Sequence, residues 1–262
     1  MNDAQMQAAA DTLWDNWTVV RRLAELPAAV RPATRAEGYA IQARLEHRSA
    51  FPLYGWKIAA TSQAGQTHLA VDGPLAGRLL RERVFEVGQE VPFGRNHMRV
   101  VEAEFAFRMG RDLPPRATPY RVDEALAAVA TLHPAIEIPD SRFEEFAKVG
   151  AAQLIADDAC AHYFTLGPAA PESWRALNLV EHVVVGTVAG GLRREGKGAN
   201  VLGDPRVALT WLANELSGLG VTLRQGEVVT TGTCLIPLPV KARDRVTADF
   251  GPLGSVEVRF SD

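Results

Sequence analysis

The run Val100-Val101-Glu102-Ala103-Glu104-Phe105-Ala106-Phe107 reads as a β-strand, rich in Val and Phe and alternating in character. Side chains alternate faces along a strand, so Glu102 and Glu104 project from one face, roughly 7 Å apart at the backbone. Val101, Ala103, Phe105 and Phe107 point the other way, toward a core. Two readings of the acidic face are open. It is the wet side of a half-buried antiparallel strand, or it belongs to an oxygen-ligand site for a hard divalent cation. The second reading needs at least one more acid from elsewhere.

A third acid stands in Pro134-Ala135-Ile136-Glu137-Ile138-Pro139. Glu137 lies between two isoleucines in a strand pattern, and a carboxylate there is costly unless it is paired or holds a metal. Lys57 has a comparable setting in Gly55-Trp56-Lys57-Ile58-Ala59. It is either a lysine that snorkels to the surface or a cation placed to meet an anionic ligand.

Around these stretches the pattern changes from helical to mixed. Residues 4–26 read as a helix with Leu13, Trp17, Val20 and Leu23 as its buried stripe. Thr34 and Glu37 form a capping box that opens a second helix to about His47. Residues 1–50 thus read as an N-terminal helical region and 51–262 as one compact unit. Within that unit, 63–68 starts a short helix and 123–132 reads as a helix with an acidic first turn. Residues 153–162 read as a loop, 180–188 as a strand and 195–200 as a flexible Gly-rich loop. Asp204-Pro205 caps a helix running to about Leu216. Strands follow at 228–233 and 245–250, the latter paired with 255–260. Cys160 is a small buried apolar residue or a weak donor in a pocket. The chain has no regular βαβα rhythm and neither GxGxxG nor GxxxxGK[ST], which argues against a dinucleotide or P-loop fold.

Composition narrows the class. Of 262 residues, 47% are hydrophobic and 23% charged, ordinary for a globular chain. A formal charge of −3 and the lack of any basic run leave no footprint for nucleic acid. Cys160 and Cys234 lack CxxC spacing, so neither a disulfide framework nor a zinc site is indicated. No apolar run approaches the ~20 residues of a membrane span. The N-terminus lacks the basic and apolar regions of a signal peptide, so a cytoplasmic, soluble protein is expected.

Five pieces in order resemble the 2-keto-4-pentenoate hydratase / 4-oxalocrotonate decarboxylase family of the fumarylacetoacetate hydrolase superfamily. They are the stretches 55–62, 102–107, 137–142, 156–160 and 246–254. The resemblance implies an α+β fold, a mixed rolled β-sheet, barrel-like, with N-terminal helices beside it. It implies a Mg²⁺ or Mn²⁺ site held by Glu102, Glu104 and Glu137, with Lys57 as the active-site lysine. Ser62, Arg142 and Cys160 join Lys57 as substrate-binding candidates, although Arg142 has a salt bridge to Asp140 as its other reading. The implied activity is a hydro-lyase acting on 2-hydroxypenta-2,4-dienoate-like 2-oxo acids in aromatic meta-cleavage catabolism. A decarboxylase of the 4-oxalocrotonate type is the alternative, and a catalytically silent 2-oxo acid-binding scaffold is a third. A homo-oligomer is implied, and with it a complex with a partner enzyme of the same pathway. The sequence departs from the family's P-D-[FY]-G turn at Pro74-Leu75-Ala76-Gly77, where Leu75 replaces the acid. It also departs from D-N-A-S at Asp157-Asp158-Ala159-Cys160.

Overall fold

The computed structural model describes residues 1–262. In chain order the N-terminal helices are α1 (Asp3–Thr18) and α2 (Arg35–Glu46). The next elements are β1 (Gly55–Ala59), α3 (Gln63–Leu69), β2 (Leu75–Leu79), β3 (Val84–Phe85), β4 (Glu90–Val91) and β5 (Val100–Met109). Then come α4 (Val122–Ala127), β6 (Val129–Ile138), α5 (Ala151–Ala156), β7 (Tyr163–Leu166), β8 (Val183–Val188) and β9 (Arg193–Lys197). The chain closes with α6 (Pro205–Gly218), β10 (Val228–Thr233), β11 (Leu238–Pro239), β12 (Arg245–Asp249) and β13 (Ser255–Phe260).

These strands form two sheets. The larger has eight strands in the order β2-β1-β10-β5-β6-β7-β3, with β11 on the outer half of β5. The smaller runs β4-β13-β12-β8-β9. Both mix directions: β1–β10 and β3–β7 are parallel, as is β13–β4, and the rest are antiparallel. The inward residues of the two sheets share one core, in which Phe105 of β5 meets Phe250, just beyond β12, edge to face at 5.1 Å. This is the α+β, rolled-sheet architecture that the sequence implied. No helix is long and apolar enough to cross a membrane.

The N-terminal helices pack on one side of this body. Leu13, Leu26 and Ile41 share an apolar cluster with Phe143 and Ala156. Thr34 and Glu37 form the expected capping box. The first helix ends at Thr18, short of the expected Leu26. Val20 takes a positive φ of 53°, and the chain leaves the helix so that Leu23 N–H can donate to the Arg142 carbonyl at 2.9 Å. Val20 is accordingly exposed.

Three further expectations are corrected. The helix expected over 123–132 stops at Ala127, and Val129 starts β6, because pairing along β5 outweighs local helix propensity. The loop expected at 153–162 begins as α5 and passes into a tight turn over 158–160. The segment 195–200, expected to be a flexible loop, is the end of β9, held by antiparallel pairing to β8 up to Lys197, followed by a 3-10 turn over Gly198–Asn200.

Candidate active site

β5, β6 and β10 are neighbours near the middle of the large sheet, and β1 lies on the far side of β10. This order brings four distant residues together. Glu102 of β5 is the direct cross-strand partner of Glu137 of β6. Glu104 lies one step further along the same face of β5, between Ala135 and Thr233. One carboxylate oxygen from each of Glu102, Glu104 and Glu137 lies within 4.8 Å of the others. Lys57 reaches them from β1, its Nζ 3.0 Å from Glu137 Oε1.

The cluster is largely cut off from water. Glu104 and Glu137 are fully buried and Lys57 is 2% exposed, while Glu102 is half-buried. Burial pushes all three carboxyls above their ordinary range. Lys57 pulls them back, and the like charge of neighbouring acids adds to the rise at Glu104 and Glu137. Burial works against the Lys57 charge too, but Glu137, Glu102 and Glu104 outweigh it and hold the ammonium above its usual range.

The oxygens are only partly satisfied. Glu104 Oε2 accepts from Gly232 N–H at 2.6 Å and from the Thr230 hydroxyl. Glu104 Oε1 and Glu137 Oε2 have no hydrogen-bond partner although both are buried. Buried polar atoms are nearly always paired, so orphans of this kind call for a ligand. Three ionised carboxylates and one ammonium leave two negative charges uncompensated, which matches one divalent cation. Hard oxygen donors suit Mg²⁺ or Mn²⁺. The residues therefore fit a hard divalent metal, and Glu102, Glu104 and Glu137 are the side chains that could hold it.

Backbone geometry around the cluster is strained in a way that serves it. Asp158, Ala159 and Cys160 take positive φ values of 55°, 49° and 63° in succession. Non-glycine residues adopt this region rarely, and then singly. The run turns the Ala159 carbonyl onto Lys57 Nζ, at 3.0 Å. It also carries Asp158 Oδ1 to the Arg78 N–H at 2.6 Å. Gly77, opposite Lys57 on β2, makes room for both: a Cβ there would lie 2.4 Å from the Asp158 carbonyl and 3.1 Å from the lysine stem. Gly232 has φ +94°, and a Cβ on it would lie 2.1 Å from Thr61 Oγ1.

A cavity of about 480 Å³ opens from the cluster to solvent. Lys57, Glu102, Ser62 and Cys160 all line it. Ser62 also caps α3, its Oγ accepting from Gly65 N–H at 3.1 Å. Burial pushes the Cys160 thiol up to about 12, so it stays protonated. Arg142 does not reach the cavity. Its guanidinium is spent on the Asp157 carboxylate and on the carbonyls of Asp140, Asp157 and Ala161, and it stacks 4.2 Å from the Trp17 ring. Arg142 is thus a buried structural ion pair, not a substrate clamp. Its partner is Asp157, whereas Asp140 pairs with Arg22. Leu75 opens strand β2 instead of sitting in a turn, fully buried beside Ala59.

Sequence reasoning did not single out Thr230, Gly232 or the Ala159 carbonyl, nor Leu69, Met98, Phe146 and Ile236 of the cavity wall. A signal for Gly232 existed, since a glycine inside a β-branched strand marks a close approach.

Residues 82–261 match the family of the fumarylacetoacetate (FAA) hydrolase C-terminal domain. The chain belongs to the fumarylacetoacetate hydrolase family. Among curated relatives of this family member, the 2-keto-4-pentenoate hydratase of Burkholderia vietnamiensis is 34% identical over 208 residues, covering 79% of this chain and 78% of that protein. The 2-keto-4-pentenoate hydratase of Paraburkholderia xenovorans is 31% identical over 263 residues, covering 99% and 96%. Among solved structures, the 4-oxalocrotonate decarboxylase from Pseudomonas putida G7, complexed with magnesium and adipate, superposes with a TM-score of 0.89. It is 26% identical, with 99% of this chain and 98% of that one covered.

Proposed function

We propose that this family member is a divalent-metal-dependent hydratase of 2-hydroxypenta-2,4-dienoate-like 2-oxo acids, using Mg²⁺ or Mn²⁺. The observation that carries the reading is the pair of orphaned carboxylate oxygens on Glu104 and Glu137, placed beside a buried lysine at the inner end of a cavity. The curated relatives named 2-keto-4-pentenoate hydratase support it. When bound by Glu102, Glu104 and Glu137, the cation supplies positive charge that stabilises an enolate as it develops.

The chain's own residues do the rest. An ammonium has three N–H donors. Lys57 donates one to the Ala159 carbonyl, faces Glu137 Oε1 as an ion pair, and keeps a donor for an oxygen of the 2-oxo acid. The strained 158–160 turn fixes the lysine in place, and so orients the substrate head. Hydration requires a proton delivered to the dienol and a water added at C4. Glu102 and His68 are the titratable wall residues available for those transfers, since Cys160 stays a thiol and Leu75 carries no proton.

A second reading, a 2-oxo acid decarboxylase, is favoured by the full-length superposition on 4-oxalocrotonate decarboxylase. Loss of ultraviolet absorbance of the dienol on metal-loaded protein, against a metal-free control, tests hydration. Carbon dioxide release from 4-oxalocrotonate in place of that loss would replace hydratase by decarboxylase. Binding of oxalate without turnover of either would point to the silent scaffold. Residues 51–262 form the catalytic unit and 1–50 its helical buttress. We place its action in the cytoplasm, in aromatic catabolism, as a self-associating enzyme with a partner enzyme of the same pathway as a further associate.

A further inference from the structure

The cavity changes character from its inner end to its mouth. Lys57 and Glu102 mark the inner end. The wall also holds the partly exposed Leu69, Met98 and Phe146, the buried Leu235, and Ile236. Ile236 stands on the rim, 72% exposed. Two polar groups of the wall are turned to the protein itself, while the Thr61 and Ser62 hydroxyls also line it. Asn200 Nδ2 donates to the Cys234 carbonyl, and Thr233 Oγ1 to the Leu235 carbonyl, each at 2.7 Å. Lys57 is the only lysine or arginine on the wall, and Glu137 holds it at the inner end. His68 lies at the rim with its ring edge-on to Phe146, 6.0 Å between centroids.

We infer that the substrate carries a neutral, apolar group, alkyl or aryl, at the end remote from its 2-oxo acid head, and not a second carboxylate. The inference rests on the proposed function, because it places the head beside Lys57 and the three glutamates. From there a tail that reaches the rim passes Leu69, Met98, Phe146 and Ile236. A carboxylate set among Leu69, Phe146 and Ile236 would give up hydration without gaining a fixed cation. A methyl, a longer alkyl chain or a ring gains by leaving water there. The size of the cavity agrees. At about 480 Å³ it falls in the ~300–1,000 Å³ range of pockets that enclose drug-sized ligands, with room beyond a five-carbon acid. The decarboxylase neighbour is complexed with adipate, a dicarboxylate. By its wall, this chain selects for the opposite kind of tail.

The test compares two saturated 2-oxo acids of equal carbon number, 2-oxohexanoate and 2-oxoadipate, binding to the full Mg²⁺-loaded chain in a calorimeter. The monocarboxylate is expected to bind roughly tenfold more tightly. Equal or tighter binding of 2-oxoadipate overturns the inference. Ile236→Arg lies on the exposed rim, where folding is not at stake, and supplies the missing cation. It is expected to narrow the ratio by roughly threefold or more; an unchanged ratio removes the tail from this wall and overturns the assignment. Turnover of 2-hydroxyhexa-2,4-dienoate and 2-hydroxyhepta-2,4-diene-1,7-dioate is followed separately. If neither is consumed while the binding preference holds, the hydratase reading fails and the inference about the tail stands.

Discussion

Glu102 and Glu137 face each other directly across the β5–β6 ladder. Like charges in a cross-strand pair oppose sheet formation, and here one of the two is fully buried. Such a pair persists because something else needs it. Glu102→Gln separates the two demands. The metal-free variant is expected to be more stable than the parent by about 1 kcal/mol, since one repulsion is gone. Its Mg²⁺ affinity is expected to fall by roughly tenfold or more, since a charged ligand is gone. Thermal unfolding in EDTA and across a Mg²⁺ titration reads both signs. A loss of stability in EDTA would mean that the parent pair is already compensated by Lys57.

Asp158 makes stability depend on pH. Burial pushes its carboxyl up to about 7, against the Arg78 N–H and the Arg142 and Arg78 charges that favour the ionised form. The unfolded chain loses this proton near pH ~4. The folded state, with the raised value, still holds it. The contribution is therefore complete below about pH 4 and is lost as pH rises through about 7. Asp158→Asn is expected to flatten that fall, gaining more stability at pH 8 than at pH 5. Urea midpoints at the two pH values, in EDTA, check the sign, and an equal change at both would rule the assignment out.

Gly232→Ala tests the support behind Glu104. A Cβ would fall 2.1 Å from Thr61 Oγ1, on a residue with φ +94°. The strand must shift, and the N–H that donates to Glu104 Oε2 shifts with it. A loss of about 3 kcal/mol is expected from denaturant unfolding, together with weaker Mg²⁺ binding in the folded fraction. Gly226→Ala supplies the control: it also has positive φ, but open space around its Cβ, and so should leave Mg²⁺ affinity unchanged.

Arg142→Met separates a structural arginine from a substrate clamp. Removing the guanidinium leaves the Asp157 carboxylate buried without its cation. The expected cost is about 3–5 kcal/mol of stability, seen as a lower unfolding midpoint. The affinity of the folded protein for a 2-oxo acid should not change. A variant that folds as well as the parent but loses 2-oxo acid binding would restore the clamp.

Much of the site was legible because its signals are local. Glu102 and Glu104 declare a shared face by strand alternation, and Glu137 between two isoleucines declares a buried acid. The Thr34–Glu37 box and the Asp204–Pro205 start also formed as read. What was not legible depends on partners far away in the chain. Val129 becomes strand and not helix because β5 lies beside it. Lys197 ends a strand and not a loop because Val183 pairs with it. Arg142 looked available because Asp157, its partner, enters only after α5 has folded back. The cavity wall combines α3, Phe146 and the 235–237 segment, and no spacing in the sequence predicts that these meet.

The parallel pairing of β1 with β10 sets when the site can exist. β10 is inserted between β1 and β5, and it brings the Thr230 hydroxyl and the Gly232 N–H that hold Glu104. A nascent chain halted before Val228 already carries Lys57 and all three acids, but it lacks the strand that joins the β1 lysine to the acids of β5 and β6. Pairings this distant in sequence close slowly and late. On the ribosome, then, β5 and β6 can bring the three acids together before Lys57 is seated beside them. The cation that offsets their charge arrives only with the last central strand.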